Sequence, residues 1–411
     1  MRSQSSVSLP ANFRGLAWSN LAAQAGEQIA LAAAPMVAVL ALGGGAGETG
    51  LLQTALTLPF PLFAIPAGLM ADRLERRRLM AYAEALRAAA LAGLLCLVQL
   101  ELLTWFLLAL LGFIAVCGTV VFSVAAPSLV PALVKPEALS IANARIELAR
   151  TIAFAAGPAL GGMLVGWTGA ATAFGVAAIL SAYAALRLSR IDEPARPPAP
   201  RRHPLRDIHE GAAFVFGHEL LRPLFVTQFV FNIAFFLILA IFVPHAVQNL
   251  QLSAVSIGAT LAMYGVGMVA GALLAPRLMR SLAFGTVIAI GPVSAFAASL
   301  MLALTIWLKD PLLAGLGFFI LGAGPILWVI STTTLRQIVT PPRLLGRVSA
   351  INIMAYGARP ICSALGALLG GLYGVEICLV AAVAGFLAQA LVILMSPAVR
   401  LQSQPAAVVT P

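Results

Sequence analysis

Glu27 is the residue of this sequence whose type and position point most directly to chemistry. It lies about 11 residues, or ~16 Å at ~1.5 Å per residue, into an apolar helical run. A carboxyl group there is costly unless it faces a cavity or takes up a proton, and such acids commonly mark proton or substrate paths. We therefore predict proton exchange at Glu27. The alternative is a structural hydrogen bond to Gln24, Gln28 or a neighbouring helix.

Glu84 and Arg87 form a second group of charges inside an apolar run. They are three residues apart, which puts them on one face of a helix and within reach of each other. A mutual ion pair is the simpler interpretation of this spacing. Glu84 is the second candidate for proton coupling.

Arg150 and Arg359 lie roughly ten residues inside two further apolar runs, where an arginine is costly unless it faces a cavity or a carboxylate. Two roles remain open for them. They help to bind an acidic or polyhydroxy-aromatic ligand, or they pair with Asp72 and Glu147 in a gate.

The composition requires a membrane. Apolar residues make up 61% of the 411 and charged residues 10%, against about 45–50% and about 25% in an ordinary soluble domain. Apolar runs of about 20 residues recur along the chain, and only membrane-spanning helices satisfy the backbone of such runs. We predict an all-α membrane protein with twelve transmembrane helices. The candidate spans are 16–42, 50–71, 79–99, 102–125, 143–167, 170–188, 223–247, 254–276, 284–307, 311–334, 346–372 and 376–396.

A single long polar stretch divides the twelve spans six and six. It predicts an N-terminal six-helix bundle over 1–188, a cytoplasmic linker over 189–222, a C-terminal six-helix bundle over 223–400 and a disordered tail over 401–411. Prolines and charges favour a solvated tether for the linker. Its second part, 205–221, is amphipathic and also fits a short helix at the membrane surface.

Lys and Arg are distributed unevenly between the two sides of the predicted bundle. If the N-terminus is cytoplasmic, the cytoplasmic loops and both termini, counted together with Arg187 and Arg347 at the cytoplasmic ends of two spans, hold twenty of the twenty-five basic residues, and the opposite loops hold only Lys309. The positive-inside rule then predicts both termini in the cytoplasm of a multi-pass protein of the plasma (inner) membrane. Topology thus explains the formal charge of +10 without a nucleic-acid partner.

The two halves carry an internal repeat at a constant offset of 209 residues. The repeat joins the fifth predicted span to the eleventh, as a duplicated six-helix unit requires. The aligned pairs are Ser140 with Ser349, Asn143 with Asn352, Arg150 with Arg359, Gly157 with Gly366, and Gly161-Gly162 with Gly370-Gly371.

The stretch Gly68-Leu-Met-Ala-Asp72-Arg73-Leu-Glu-Arg76-Arg77-Arg78 lies between the second and third predicted spans. It resembles the loop signature of the major facilitator superfamily, and the resemblance covers essentially all twelve spans. Gly26-Glu27-Gln28-Ile29 and Gly157-Pro158-Ala159-Leu160-Gly161-Gly162 resemble the branch of bacterial exporters that includes enterobactin and macrolide efflux proteins. The implied fold is two pseudo-symmetric six-helix bundles.

The resemblance implies a gating role for this loop. Asp72 is expected to face the positive dipole end of the eleventh helix when the cytoplasmic side is closed, and Gly68 permits close approach of another helix. Arg73, Arg76, Arg77 and Arg78 can both pair with Asp72 and anchor the loop to anionic headgroups. The alternative is that these arginines only fix the topology.

The fifth span contains a cluster of helix-perturbing residues, namely Gly157, Pro158, Gly161 and Gly162. They remove side-chain bulk and one backbone donor, which predicts a bend and close packing on a neighbouring helix. The exporters of the superfamily favour such a helix, although a simple packing seam has the same sequence signature.

No metal-ligand spacing and no Gly-x-x-x-x-Gly-Lys phosphate loop occur, so we expect no enzyme, no cofactor and no metal. The resemblance implies a secondary transporter that works by alternating access, expected as a monomer. We expect a proton-coupled exporter of a small amphipathic compound, siderophore-like or drug-like. The expected partners are that small molecule, protons and the lipid bilayer. An importer or a lysophospholipid-type flippase of the same fold is the alternative.

Overall fold

The computed structural model of the chain describes residues 10–134, 139–193, 204–341, 344, 347–348, 351–352 and 357–403. Nearly all of these residues are helical. The first half contains α1 (Ala11–Leu40), α2 (Ala46–Thr57), α3 (Pro59–Arg73), α4 (Arg76–Gln99), α5 (Trp105–Leu133), α6 (Leu139–Thr168) and α7 (Ala170–Ser189). The second half contains α8 (Pro204–Gly217), α9 (Leu221–Gln248), α10 (Ala254–Ser281), α11 (Phe284–Leu308), α12 (Pro311–Val339), α13 (Ala358–Tyr373), α14 (Val375–Leu394) and a 3-10 turn (Pro397–Arg400).

Among the described residues, ten helices are long and apolar enough to cross a membrane. They are α1, α4, α5, α6, α7, α9, α10, α11, α12 and α14. The other two predicted spans are the broken stretch α2–α3 and the short α13, which covers the second part of the span predicted over 346–372. The predicted all-α membrane fold is therefore confirmed.

The second predicted span is broken rather than continuous. Thr57 ends α2, Leu58 forms a turn, and Pro59 begins α3. A proline is tolerated at the first position of a helix but cannot donate the hydrogen bond that would continue the preceding one. Pro59 therefore separates two helices that the apolar run alone had joined.

The described residues fall into two compact units. The first is drawn from Met1–Leu42 and Ala55–Pro200, and the second from Gly43–Thr54 and Arg201–Pro411. Most of α2 therefore belongs to the second unit. Glycines produce this packing, because a Cβ at Gly50 would overlap the backbone of Ala367 in α13.

Each unit has the same internal packing order. In the first, α1 packs on α6 and α7, α4 packs on α5 and α7, and α3 packs on α5. In the second, α9 packs on α13 and α14, α11 on α12 and α14, and α10 on α12. The pairs correspond one to one, as expected of a duplicated unit.

Two turns show the duplication at the level of the backbone. Gly169 joins α6 to α7 at φ 92°, and Gly374 joins α13 to α14 at φ 85°. Both angles lie in the left-handed region, which glycine enters without the penalty that a Cβ imposes. The same glycine turn thus closes the last helix pair of each unit.

Candidate functional site

A buried group of polar side chains joins three helices of the first unit. Arg87 of α4 directs Nη1 to Oε2 of Glu27 in α1 at 3.4 Å, and donates a hydrogen bond to Oγ1 of Thr119 in α5 at 3.1 Å. Its Nη2 donates to Oε1 of Glu84, one turn earlier in α4. We name Glu27, Glu84, Arg87 and Thr119 the charge cluster.

The charge cluster lies inside the protein. The side chain of Arg87 is 3% exposed and that of Glu84 is 0% exposed, whereas Glu27 retains 15%. Two carboxylates thus meet one guanidinium, and ionisation of both acids gives these three groups a net negative charge. One bound proton would cancel that charge, which is the condition for proton uptake by coupled acids.

A cavity lies beside the charge cluster within the first unit. Glu27, Arg87 and Thr119 form its polar side, and its other lining residues, such as Leu31 and Phe174, are apolar. Glu27 is the acid that combines contact with this cavity and partial exposure. A proton or a water molecule in the cavity would therefore meet Glu27 before it met Glu84.

Glycines next to the cluster residues bring the helices together. A Cβ at Gly26, beside Glu27, would lie 3.0 Å from the carbonyl oxygen of Ala177 in α7. A Cβ at Gly118, beside Thr119, would lie 2.5 Å from the carbonyl oxygen of Ala83 in α4. Since small residues permit close helix approach, Gly118 brings α5 within hydrogen-bond reach of the charges on α4, and Gly26 brings α1 against α7, which itself packs on α4.

The structure brings the predicted pair Glu84 and Arg87 together and adds Glu27 to it. Glu27 contacts Arg87, which lies on a neighbouring helix. A contact to a neighbouring helix was one of the alternatives predicted for Glu27, beside hydrogen bonds to Gln24 or Gln28. Thr119 was not predicted. Its one signal in the sequence is a hydroxyl group within the apolar helix α5. The sequence alone does not show which hydroxyl of α5 faces α4.

The glycines of the fifth predicted span lie where α6 packs on α1. A Cβ at Gly157 would overlap the Cβ of Gln28, and one at Gly161 would lie 3.0 Å from the carbonyl oxygen of Ile29. Pro158 lies within α6, which runs through it as one helix, and Gly162 is buried. This seam holds the stretch of α1 that carries Glu27.

Arg150 and Arg359 have different surroundings in the two halves. Arg150 Nε lies 3.0 and 3.1 Å from the two carboxylate oxygens of Glu147, in the predicted pair. Arg359 lies with its guanidinium carbon 4.9 Å from the ring centroid of Phe236 in α9, a cation–π arrangement.

The internal repeat explains this difference. At the offset of 209, Phe236 occupies the position of Glu27, and Tyr356 occupies the position of Glu147. The second copy has therefore kept the arginine and replaced both acids with aromatic residues. Carboxylates at these repeat positions belong to the first half alone.

The signature loop is described in part. Gly68, Asp72 and Arg73 lie in α3, and their side chains fall outside what the structure describes, as does the predicted contact of Asp72. Arg76 begins α4 and is buried. Arg77 donates from Nη1 to the carbonyl oxygen of Ile191 at 2.7 Å, and from its backbone N–H to Oε2 of Glu193 at 2.9 Å.

These contacts of Arg77 were not predicted. They fix the residues that immediately follow α7, and Asn12 contributes a hydrogen bond to the carbonyl oxygen of Asp192 at 3.3 Å. Arg77 therefore binds the beginning of the linker to the first unit. The sequence did not distinguish Arg77 from the other arginines of the loop, so these contacts could not be predicted from it.

A duplicated bundle of apolar helices, with a charge cluster beside a cavity in its first unit, is the architecture of a multi-pass membrane protein. Residues 16–363 match the Major Facilitator Superfamily. The chain belongs to this superfamily, whose members are transporters and not enzymes.

Curated relatives include the enterobactin exporter EntS of Escherichia coli O1:K1 / APEC, and that of Shigella boydii serotype 18. Each is 29% identical over 313 residues, which cover 74% of this chain and 72% of the relative.

Solved transporters share the fold. A bacterial homologue of the iron transporter ferroportin has a TM-score of 0.72 at 17% identity, covering 94% of this chain and 98% of that chain. A bacterial homologue of the human lysosomal transporter Spinster has a TM-score of 0.72 at 14% identity, covering 96% and 98%. At these identities the likeness extends to the fold alone.

Proposed function

We propose that this transporter exports a small amphipathic compound, siderophore-like or drug-like, in exchange for protons. The charge cluster is the observation that carries the proposal. Two acids meet one arginine there, and the partly exposed Glu27 lines the adjoining cavity. Protonation of Glu27 would weaken its attraction to Arg87 and change the charge of the cavity wall, which is the coupling that exchange requires.

The relatives support the direction and the substrate class. EntS proteins are enterobactin exporters, and they match 74% of this chain. The proposed cargo is accordingly a siderophore-like molecule, with a drug-like compound as the broader class. Arg150 and Arg359 are proposed either to bind an acidic or polyhydroxy-aromatic group of this cargo, or to act in the gate.

The signature loop is the proposed cytoplasmic gate. The residues proposed to form this gate are Gly68, Asp72, Arg73, Arg76 and Arg77. The negative charge of Asp72 would attract the free backbone amides at the start of a helix. The proposed orientation places both termini in the cytoplasm of an inner membrane. The proposed working form is a monomer.

Uptake by inside-out vesicles tests the proposed exchange. With an acidic lumen, vesicles containing the parent protein should accumulate enterobactin or a lipophilic cationic dye, and should lose protons from the lumen as they do so. Glu27→Gln should abolish the dependence on the gradient, because glutamine keeps the shape of the side chain but binds no proton. The matched control is Glu219→Gln, since Glu219 is an exposed acid outside the charge cluster.

Gradient-driven uptake that persists in Glu27→Gln at the parent rate would contradict the role of Glu27. An importer or a lysophospholipid-type flippase is the second candidate, because its fold would be the same. Movement of a fluorescent lysophospholipid without a proton gradient would support the flippase and count against proton-coupled export.

A further inference from the structure

Helix α8 is held firmly against the second unit along one face. Oε2 of Glu210 lies 2.7 Å from Nη1 of Arg347, which precedes α13 in the chain. Gly211 lies so close to Arg347 that an added Cβ would be 2.8 Å from its carbonyl oxygen. Val215 is 4% exposed and packs in a core cluster with Leu224 and Val348.

The turn between α8 and α9 fixes the direction of α8. Nδ1 of His218 accepts a hydrogen bond from the backbone N–H of Leu220 at 3.1 Å, and its ring lies 5.6 Å from that of Phe214. Burial lowers the pKa of His218 below its usual value, which favours the neutral ring that can accept this bond. The turn therefore holds α8 at the beginning of a membrane-spanning helix.

The opposite face of α8 presents an aromatic residue. Phe216 is 47% exposed, although its ring packs edge-on against Phe225 with centroids 5.1 Å apart. Phe225 stacks in turn on Phe229, which is 38% exposed, at 6.4 Å. We name Phe216, Phe225 and Phe229 the aromatic strip.

The aromatic strip continues from the membrane span onto α8. Phe225 and Phe229 lie about 6 and about 12 Å from the start of α9 at ~1.5 Å per residue, so Phe229 reaches the hydrocarbon and Phe225 the boundary region. Phe216 contacts Phe225 and so lies near the same boundary. Arg222, exposed in the first turn of α9, lies between them in the chain and can reach lipid phosphates.

We propose that α8 is an interfacial helix whose exposed face binds the phospholipid bilayer, with Phe216 inserted at the boundary between headgroups and acyl chains. The continuity of the aromatic strip with a membrane-crossing helix identifies the bilayer as the occupant of this face. Through Glu210, the same helix ties Arg347 to the level of that boundary. This position of α8 does not depend on the cargo, on the direction of transport or on the coupling ion.

Quenching by brominated lipids tests this position of Phe216. Phe216→Trp, in the full-length protein reconstituted in phosphatidylcholine vesicles containing phosphatidylglycerol, should gain a blue-shifted emission relative to the parent protein. Lipids brominated near the ester end of the acyl chain should quench the added emission strongly, and aqueous iodide should quench it little. Ser403→Trp is the exposed control, and we expect the reverse pattern there.

Equal quenching of the two added tryptophans by iodide, with none by the brominated lipid at position 216, would overturn the proposal. Hydrogen exchange provides a second measurement that needs no tryptophan. In lipid nanodiscs, Phe216→Ser should raise the exchange rate of α8 amides severalfold, whereas Ala213→Ser, which changes a much smaller side chain on the same exposed face, should raise it far less. The same exchange rate in Phe216→Ser and the parent would also count against the proposal.

Discussion

Arg87 is the residue on which the charge cluster depends. Its guanidinium bonds to Glu84 within α4 and reaches α1 and α5 through Glu27 and Thr119. An arginine in this position compensates one buried and one partly exposed acid, and its loss would leave Glu84, with a 0% exposed side chain, without the cation that it now faces. A single guanidinium therefore determines both the local charge and the local packing.

We expect Arg87→Gln to destabilise the protein by about 3–5 kcal/mol, the range for removing one partner of a buried ion pair. Thermal unfolding of the purified protein in detergent measures the effect as a fall in Tm. The added change Glu84→Gln should restore part of the loss, since it removes the buried charge that Arg87→Gln leaves behind.

Arg78→Gln is the matched control. Arg78 pairs with Glu75 at 2.7 Å, but its side chain is 63% exposed and that of Glu75 is 47% exposed. Exposed pairs of this kind contribute only about 0–1 kcal/mol. A loss of stability as large in Arg78→Gln as in Arg87→Gln would show that burial is not what makes Arg87 important.

The sequence predicted the parts of the site that depend on one helix and missed the parts that depend on two. Glu84 and Arg87 follow from a spacing of three within α4. The contact of Arg87 with Glu27 depends on the rotation of α1 and α4 about their axes, which neither helix encodes alone. Thr119 enters the site for the same reason, through the close approach of α5 at Gly118.

At the scale of helices, glycine-to-helix contacts recur in the two units. Gly157 packs on Gln28, and its repeat partner Gly366 packs on Ala240 and Leu237. At the offset of 209 residues, Leu237 is the repeat partner of Gln28. The same pair of helices is thus joined at the same place in both copies. The fit is tighter in the first copy, because a Cβ at Gly366 would lie 3.0 Å from its nearest neighbour whereas one at Gly157 would overlap.

We therefore expect alanine to be tolerated in a definite order at three glycines. Gly157→Ala should destabilise by about 1–3 kcal/mol, as overpacking does, and Gly366→Ala should cost less. Gly217→Ala should change stability by less than about 0.5 kcal/mol, because no atom lies within 4 Å of the added Cβ. Thermal unfolding in detergent gives the order, and a Gly157→Ala protein as stable as Gly217→Ala would contradict it.

The attachment of α8 should depend on pH through His218. Burial lowers the folded-state pKa of His218 below 6.5, so the folded state binds fewer protons than the opened state near that pH. Its contribution to stability is complete above about pH 6.5, the pKa of an unperturbed histidine, and decreases as the pH falls below that value.

Hydrogen exchange of α8 amides, corrected for the intrinsic pH dependence, should therefore show less protection at pH 5 than at pH 7.5. His218→Gln should remove this difference, because glutamine can still accept a hydrogen bond from Leu220 and does not titrate in this range. A difference that survives in His218→Gln would assign the pH dependence to another group.

Most helices follow from hydrophobic length, and the exceptions have identifiable causes. Ten of the twelve predicted spans correspond, to within a few residues at their ends, to helices that are individually long and apolar enough to cross a membrane. The second span was predicted as one helix because the apolar run 50–71 continues through Pro59. Apolarity determines which segments are buried in lipid, but the missing N–H of one proline determines where this backbone breaks.

For the whole molecule, the orientation of the chain is an open prediction. The positive-inside count places both termini in the cytoplasm and Lys309 on the opposite side. Green fluorescent protein fused to the C-terminus should therefore fluoresce in cells, and alkaline phosphatase fused there should be inactive. Phosphatase inserted after Lys309 should be active, and the opposite results at these two positions would reverse the topology.

The assignment of Gly43–Thr54 to the second unit has a consequence for the way in which this protein could be divided. The chain changes unit after Leu42, after Thr54 and after Pro200, so a cut in the linker does not separate the units. An N-terminal fragment that ends in the linker still contains Gly43–Thr54, a segment of the second unit. Within that segment, Gly47 and Gly50 pack closely on α13. Two co-expressed fragments should thus associate through the packing of this segment on α13. The C-terminal fragment made alone would expose the surface of α13 that the segment covers.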